Sequence, residues 1–364
     1  MASHSSTNTI EKNRRHEGAT DPTVNGMKHR PQTEPALAPG RTPARRRRLG
    51  MPRLLIVGCG DIGSRIVARL RRRFRIFAVV SGPDGARRVR EAGAVPVVCD
   101  LDRLGPPAAL GGLAQRVIVL VPTSSQGKTD RRTPHLLRAL FVPPAAAGRR
   151  NRPLGPGSRR FAPSAPPRLV YASTSGVYGD RRGAWTDETT PPRPGNDRAH
   201  RRLDAERRMR TSRWRAAVLR VPGIYAADRL PRARLEQAIP VPPPDQDVFT
   251  NHIHAEDLAR ACLAAVFRGA PARVYNVVDD TQLVLGEYLD AVADRLGLPR
   301  SPRASGEVLR AAAGPQRMSF LNESRRLRNR RMKHELRLRL TYPDIHAGLR
   351  DVVPAGEHRR DTPP

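Results

Sequence analysis

The sequence has few cysteines, few aromatic residues and no long apolar run. Its three cysteines, Cys59, Cys99 and Cys262, form neither a disulfide framework nor a CxxC metal site. We therefore expect buried thiols in a reducing compartment, which favours a cytoplasmic location. No apolar segment reaches the ~20 residues of a membrane-spanning helix, and the polar N-terminal residues lack the apolar stretch of a signal peptide. The sequence thus predicts a soluble protein with no membrane partner.

Lysine is almost absent from a strongly basic chain. Only four of its 66 basic residues are lysine, although the formal net charge is +32. So strong a preference for arginine is typical of codon bias and does not by itself indicate phosphate contacts. Aromatic residues make up 4% of the chain, which leaves few platforms for stacking the bases of single-stranded nucleic acid. Nucleic acid is therefore a disfavoured partner, although the run Arg45–Arg48 has the composition of a basic patch.

Hydrophobic periodicity begins abruptly at Met51. From there, short apolar runs alternate with amphipathic stretches, which predicts strand–helix crossovers and an α/β fold. We expect a Rossmann-type, doubly wound parallel sheet with a small C-terminal mixed α/β lobe. The predicted organisation is a disordered leader over residues 1–50, with Met51 a candidate true start, a dinucleotide-binding domain over 51–225 that contains a Pro/Arg-rich loop insertion at 141–167, a smaller substrate lobe over 226–350, and a tail over 351–364.

The strongest motif is Gly58-Cys-Gly60-Asp-Ile-Gly63, which follows a predicted strand and begins a predicted helix. The first glycine permits a tight turn, the second lets a pyrophosphate approach the backbone, and the third allows close helix packing. The first N–H groups of the helix then face the phosphates. Asp61 and Ile62 belong to the same loop, and Asp61 supports the first helical turn electrostatically. The alternative is a glycine-rich turn that binds no ligand.

The end of the second predicted strand bears on the choice of cofactor. An NAD site carries Asp or Glu about twenty residues after the glycine loop, where it holds the ribose hydroxyls. Here that place reads Val80-Ser81-Gly82, and Arg87 and Arg88 follow. A missing carboxylate with arginines nearby slightly favours the 2′-phosphate of NADP(H), with Arg87 as a contact. The alternative is that both arginines are a solvated helix face.

Five further motifs occur in a fixed order along the chain. Together with the glycine loop they resemble the extended short-chain dehydrogenase/reductase superfamily, in its NAD-dependent epimerase/dehydratase group. The chain is most similar to the atypical YeeZ-like branch, and the resemblance runs from about Met51 to Leu349. The motifs are Cys99-Asp-Leu101, Val119-Leu-Val-Pro122, Leu169-Val-Tyr-Ala-Ser-Thr-Ser-Gly-Val-Tyr-Gly-Asp180, Arg220-Val-Pro-Gly-Ile-Tyr225 and His252-Ile-His-Ala-Glu-Asp-Leu258.

The resemblance implies an oxidoreductase that binds NAD(P) and a small-molecule substrate with a carbonyl or hydroxyl group, and a homodimeric state. It also implies roles for individual positions. Thr174 would polarise the substrate carbonyl. The other implied contacts are Asp100 and Leu101 with the adenine, Val121 and Pro122 with the cofactor at the end of the fourth strand, and Pro222, Gly223 and Ile224 with the nicotinamide.

The chain departs from the family in the helix that should carry the catalytic YxxxK pair. Arg198 stands at the Tyr position and Arg202 at the Lys position. Arginine does not deprotonate in proteins, so Arg198 cannot act as the acid or base, whereas Arg202 could still hold the ribose. The alternative is an ion-paired helix face formed by Arg198, Arg202 and Glu206 at i, i+4 and i+8. Tyr178 is either a substitute acid or a packed phenol.

Two hypotheses on function follow. The first is an enzyme of the epimerase/dehydratase type, in which Thr174 and Tyr178 carry catalysis. The second is an NAD(P)-binding redox sensor or partner module with little or no catalysis, which the arginine pair favours. A metal site is not expected, because His252 and His254 have no third ligand at a recognisable spacing and are better placed to start the next helix.

Overall fold

The computed structural model describes residues 50–102, 110–140 and 168–353. The predicted loop insertion, the leader before Gly50 and the tail after Val353 lie outside the described residues. Within the described ranges, no helix is both long enough and apolar enough to cross a membrane.

The described residues form short strands and amphipathic helices in alternation. The strands are β1 (Arg53–Val57), β2 (Arg75–Val80), β3 (Val95–Val98), β4 (Arg116–Val119), β5 (Arg168–Thr174), β6 (Trp185–Thr186), β7 (Ala217–Val221), β8 (Gly223–Tyr225), β9 (His252–His254), β10 (Val274–Asn276) and β11 (Arg326–Leu327). The helices are α1 (Asp61–Leu70), α2 (Pro83–Glu91), α3 (Arg132–Ala139), α4 (Asp197–Thr211), α5 (Arg232–Glu236), α6 (Ala255–Arg268), α7 (Leu285–Leu296), α8 (Gly306–Leu321, kinked at Gly314), α9 (Arg330–Glu335) and α10 (Ile345–Leu349).

Seven of these strands form one parallel sheet, in the order β10-β7-β5-β4-β1-β2-β3. β1 pairs with β2 on one side and with β4 on the other, so the chain reverses its direction of winding beside β1. The order is that of a doubly wound Rossmann-type sheet, which confirms the predicted fold class. In such sheets the ligand crevice lies at the carboxyl ends of the strands, at the switch point. The loop that follows β1 therefore occupies the expected binding position.

Each face of the sheet packs against its own layer of helices. In β1, the side chains of Leu54 and Ile56 enter one buried cluster, and those of Leu55 and Val57 enter another. Successive side chains of a strand point to opposite faces, and in a sheet covered on both sides all of them are apolar. This is why the sequence of β1 is a continuous apolar run.

Two elements that the sequence analysis placed in the C-terminal lobe belong to the main sheet layers. β10 pairs in parallel with β7, and Ala261 and Cys262 of α6 are buried in the core under the sheet. The crossover from β7 to β10 is long and contains other elements, so the alternation is hard to see in the sequence. A separate buried cluster surrounds Tyr225, Leu289 and Ile345 and joins α5, α7 and α10.

Candidate functional site

The glycine loop leaves open space above its middle glycine. Gly58 has φ +89°, and a Cβ there would stand 2.8 Å from the backbone nitrogen of Val121. A Cβ on Gly63 would stand 3.1 Å from Sγ of Cys59. At Gly60, by contrast, a Cβ would have no described atom within 4 Å. Glycine is thus required at the first position by the turn, whereas space for a ligand lies over Gly60, beside the first N–H groups of α1.

A cavity of about 670 Å³ lies on the β2–β3 side of this loop, and we call it the β3 cavity. It brings together residues that the sequence analysis placed at the adenine end of a dinucleotide. Both arginines are exposed; Arg88 lines the cavity, whereas Arg87, the predicted contact, is not among its lining residues. The predicted residues that do line it are Gly58, Gly60, Asp100, Leu101, Val121 and Pro122.

Arg132 closes one wall of the β3 cavity, and the sequence analysis did not single it out. Its Nε donates to Oδ1 of Asp102 at 2.6 Å, and its Nη1 donates to the carbonyl of Pro122 at 3.0 Å. The hydrogen bonds from this guanidinium hold the pKa of Asp102 below its ordinary value. Asp84 and Asp100 also line the cavity, so its charge is mixed.

A second cavity, of about 250 Å³, lies on the other side of the glycine loop, and we call it the α4 cavity. It shares Gly58 and Gly60 with the β3 cavity, so a ligand across the loop would reach both. Gly223 is the one predicted nicotinamide contact that does not line it. The predicted residues that line it are Asp61, Ile62, Gly63, Thr174, Arg198, Arg202, Pro222 and Ile224.

The arginines of α4 are placed by an N-cap and by a strand carbonyl. Oδ1 of Asn196 accepts a hydrogen bond from the backbone N–H of Ala199 at 2.9 Å, which fixes the start of the helix. One turn later, Nη1 of Arg202 donates to the carbonyl of Ala172 at 2.9 Å and to the hydroxyl of Tyr171 at 3.2 Å. Arg202 is thus anchored to β5 at the edge of the cavity.

The alternative of an ion-paired helix face does not describe the partner of Glu206. Glu206 does not pair with Arg202; its carboxylate faces Arg220 on β7, with 2.8 Å between Oε2 and Nη2. Arg198 is exposed, and the pKa of its guanidinium is lowered by partial desolvation first and then by the like charges of Arg202 and Arg201. The cavity therefore carries a local excess of positive charge next to Thr174.

The structure places Tyr178 in the interior, away from the α4 cavity. Its side chain is fully buried, and its hydroxyl donates to Oδ1 of Asn276 at 2.8 Å. Its ring lies under the guanidinium of Arg220, 4.6 Å from the centroid, and burial raises the pKa of the phenol. It does not line the α4 cavity. The alternative of a packed, hydrogen-bonded tyrosine describes the structure.

Ser173 is a site residue that sequence reasoning missed. It lies beside Thr174 at the end of β5, and both line the α4 cavity. Ser173 is 6% exposed, and its Oγ has no hydrogen-bond partner within the described part of the chain. Thr174 Oγ1 accepts from the backbone N–H of Gly176 at 3.2 Å. The run of three hydroxyl residues at a strand's carboxyl end was the available signal.

The two histidines of β9 have structural contacts. The ring of His252 stacks on Tyr288 with 4.0 Å between centroids. His254 caps α6, because its Nδ1 accepts from the backbone N–H of Glu256 at 3.3 Å, as the sequence predicted for the start of that helix. Among the described residues, no three His, Cys, Asp or Glu side chains are grouped so as to hold a metal ion.

Comparison with known proteins finds similarity to solved structures only. No protein-family model matches the chain, and no curated protein matches it. A conserved protein of unknown function from Silicibacter pomeroyi is 28% identical over 82% of this chain and 97% of its own, with a TM-score of 0.66. A structure from Methylobacillus flagellatus, assigned by its name to the NAD-dependent epimerases/dehydratases, is 24% identical over 82% and 96%, with a TM-score of 0.55.

A human epimerase family protein solved with NADPH is 19% identical over 82% of this chain and 98% of its own, with a TM-score of 0.59. All three similarities cover nearly the whole of the compared protein. The chain therefore has the fold of the NAD-dependent epimerase/dehydratase group of extended short-chain dehydrogenases/reductases, as its motifs predicted.

Proposed function

We propose that the protein is an NAD(P)-dependent oxidoreductase that acts on a small carbonyl or hydroxyl substrate. The observation that carries the proposal is the open space over Gly60, which connects the β3 cavity to the α4 cavity. A dinucleotide needs this arrangement, with the pyrophosphate over the loop and one nucleoside on each side. The human structure with NADPH supports the same use of the fold.

The residues present fit such a cofactor. Asp100 and Leu101 would contact the adenine, the N–H groups of the glycine loop the pyrophosphate, and Arg202 the nicotinamide ribose. Arg88, at the rim of the β3 cavity, supports a slight preference for NADP(H), because a guanidinium matches a 2′-phosphate. Pro222 and Ile224 would cover the nicotinamide in the α4 cavity.

Bound NAD(P) would supply or accept a hydride. The protein's own residues would then hold and polarise the substrate. The hydroxyl of Thr174 would donate to the substrate oxygen, and Arg198 would stabilise negative charge that develops there. Arginine keeps its proton, so the proton that completes the reduction would come from water. This division of labour predicts slow turnover compared with an enzyme that has the Tyr/Lys pair.

A second function, binding of NAD(P) with little or no catalysis, is favoured by one observation. Among the described residues that line the α4 cavity there is no Tyr, His, Lys or Cys, and its one carboxylate, Asp61, is paired with Arg65 and Arg229. Such a protein would act as a redox sensor or as a partner module. The YeeZ-like assignment, the homodimeric state and the cytoplasmic location stay predictions from the sequence.

The two functions are separated by turnover. We would measure oxidation of NADPH and NADH against a panel of small aldehydes and ketones, for the native chain and for Arg198→Tyr/Arg202→Lys. The oxidoreductase proposal predicts slow turnover in the native chain and faster turnover in the variant. A matched control is Arg207→Tyr, which changes the same helix outside the α4 cavity. If both proteins bind cofactor and neither turns over any carbonyl, the enzyme proposal fails and the binding function stands.

A further inference from the structure

The α4 cavity is lined by three guanidinium groups and by one carboxylate. The arginines are Arg198, Arg202 and Arg229, and the carboxylate is Asp61. Asp61 already forms two ion pairs: its Oδ1 accepts from Arg65 at 2.9 Å, and its Oδ2 accepts from Arg229 at 2.8 Å. The net charge of the cavity wall is therefore positive, and this charge lies where a substrate would meet the nicotinamide.

Two of these arginines have described partners. Arg202 is anchored to Ala172 and Tyr171, and Arg229 is paired with Asp61. Arg198 lies in the first turn of α4 and faces the repulsion of Arg202 along the helix. Its side chain is exposed at the cavity wall, and its pKa is lowered by partial desolvation and then by the like charges of Arg202 and Arg201, so an anion bound beside these arginines would offset their repulsion.

A second observation at the same site is independent of charge. Ser173 is 6% exposed, lines the cavity, and has an Oγ without a hydrogen-bond partner in the described residues. A buried hydroxyl that lacks a partner is destabilising, and native proteins rarely leave one unsatisfied. A ligand oxygen in the cavity would accept its hydrogen bond. The neighbouring Thr174 offers a second hydroxyl to the same ligand.

The size of the cavity restricts the ligand further. Its volume of about 250 Å³ lies below the ~300–1,000 Å³ of pockets that hold drug-sized ligands. The cavity therefore favours a small ligand over one as large as a nucleotide sugar. Guanidinium groups bind planar carboxylates through two parallel hydrogen bonds, which gives orientation as well as affinity.

We propose that the α4 cavity binds the carboxylate of a small substrate, a 2-oxo or 2-hydroxy acid, through the arginines of its wall, Arg198 among them, with the hydroxyls of Ser173 and Thr174 as further donors. The position of the substrate's reacting carbon beside the nicotinamide rests on the proposed function. The anion site itself stands on the residues of the cavity wall.

The test uses oxalate as the probe and inorganic phosphate as the comparison. Each is titrated calorimetrically into the full chain, with and without saturating NADPH. We expect oxalate to bind and Arg198→Gln to weaken it about tenfold or more, because a charge-assisted hydrogen bond is lost. Ser173→Ala should weaken it to a smaller degree. Arg207→Gln, which removes a charge from the exposed side of α4, should leave it unchanged.

Each other outcome overturns part of the account. Absence of oxalate binding, or equal binding by Arg198→Gln, rejects the site. Equal losses of oxalate affinity in Arg198→Gln and Arg207→Gln would show general charge attraction and reject a specific site. If phosphate binds more tightly than oxalate with the same dependence on Arg198, the ligand is not a carboxylate. The NADPH titration separates this from the proposed function: if NADPH does not bind the native chain, the proposed function fails, and the titrations without cofactor still decide the anion site.

Discussion

The carboxylate of Glu206 and the guanidinium of Arg220 form an ion pair in the interior, between α4 and β7. Oε2 lies 2.8 Å from Nη2, and the two side chains are 1% and 3% exposed. Nε of Arg220 also donates to both carboxylate oxygens, at 3.2 and 3.3 Å. Because Glu206 is engaged on this side, the charges of Arg198 and Arg202 are not compensated by it, and α4 presents them to the cavity.

This pair gives a prediction on stability. Glu206→Ala should lower the free energy of unfolding by about 3–5 kcal/mol, because it leaves the guanidinium of Arg220 buried without its partner. The measurement is urea denaturation. Glu236→Ala, an exposed glutamate at the end of α5, is the control and should change stability by less than about 0.5 kcal/mol. Equal effects in the two variants would show that the buried pair contributes nothing particular.

A second prediction separates the two hydroxyls that the sequence placed near the nicotinamide. Thr174→Val should reduce any turnover on the order of a hundredfold, because a donor to the developing oxyanion is removed. Tyr178→Phe should leave turnover unchanged and should lower the free energy of unfolding by about 1–3 kcal/mol, since Asn276 loses its buried partner. Steady-state rates and urea melts on both variants check this. Loss of turnover in Tyr178→Phe at intact stability would restore that phenol to the mechanism.

Cofactor preference is the third prediction. Arg88→Ala should weaken NADPH about tenfold and NADH little, since only NADPH carries the 2′-phosphate. Arg87→Ala, at the neighbouring arginine that does not line the β3 cavity, should change neither. The advantage of NADPH in the native chain should shrink as salt is raised from about 0.05 to 0.5 M. Equal affinities for both cofactors at low salt would show that Arg88 does not contact the 2′-phosphate. The carboxylate of Asp84, which lines the same cavity, would then offset the attraction of Arg88 for that phosphate.

Two buried titratable groups beside Tyr225, those of Asp279 and His252, predict a dependence of stability on pH. Burial raises the pKa of Asp279 to about 7, from an ordinary value of 3.8. Between about pH 4 and 7 the unfolded chain therefore loses this proton first, and the carboxyl group lowers stability progressively as pH rises. Burial lowers the pKa of His252 to about 4, which acts in the opposite direction over the same range.

In the native chain, Asp279 lowers stability as pH rises and His252 raises it. Asp279→Asn removes the first of these two contributions. The stability of Asp279→Asn relative to the native chain should therefore increase from pH 4.5 to pH 7.5, by an amount on the order of a few kcal/mol. Urea denaturation at the two pH values measures it. A difference between the proteins that is the same at both pH values would place Asp279 in contact with water.

The parts of the site that were predictable are those set by local sequence. The glycine loop follows from its spacing after β1, and the parallel sheet follows from the alternation of apolar runs. Adjacent helical residues point about 100° apart, so the sequence could not decide whether Arg87 or Arg88 faces the β3 cavity. The sequence also could not show that Tyr178 lies under Arg220, because this contact depends on the packing of β5, β7 and β10. For the same reason it could not show that the Oγ of Ser173 lacks a partner in the described residues.

The most direct test of dinucleotide binding is an NADPH titration of Gly60→Val. The added side chain would fill the space where the pyrophosphate is expected, and its Cβ would meet no described protein atom within 4 Å. Calorimetry should therefore show binding in the native chain and none in Gly60→Val, with the same melting temperature for both. Unchanged affinity for NADPH in a folded Gly60→Val protein would contradict the account.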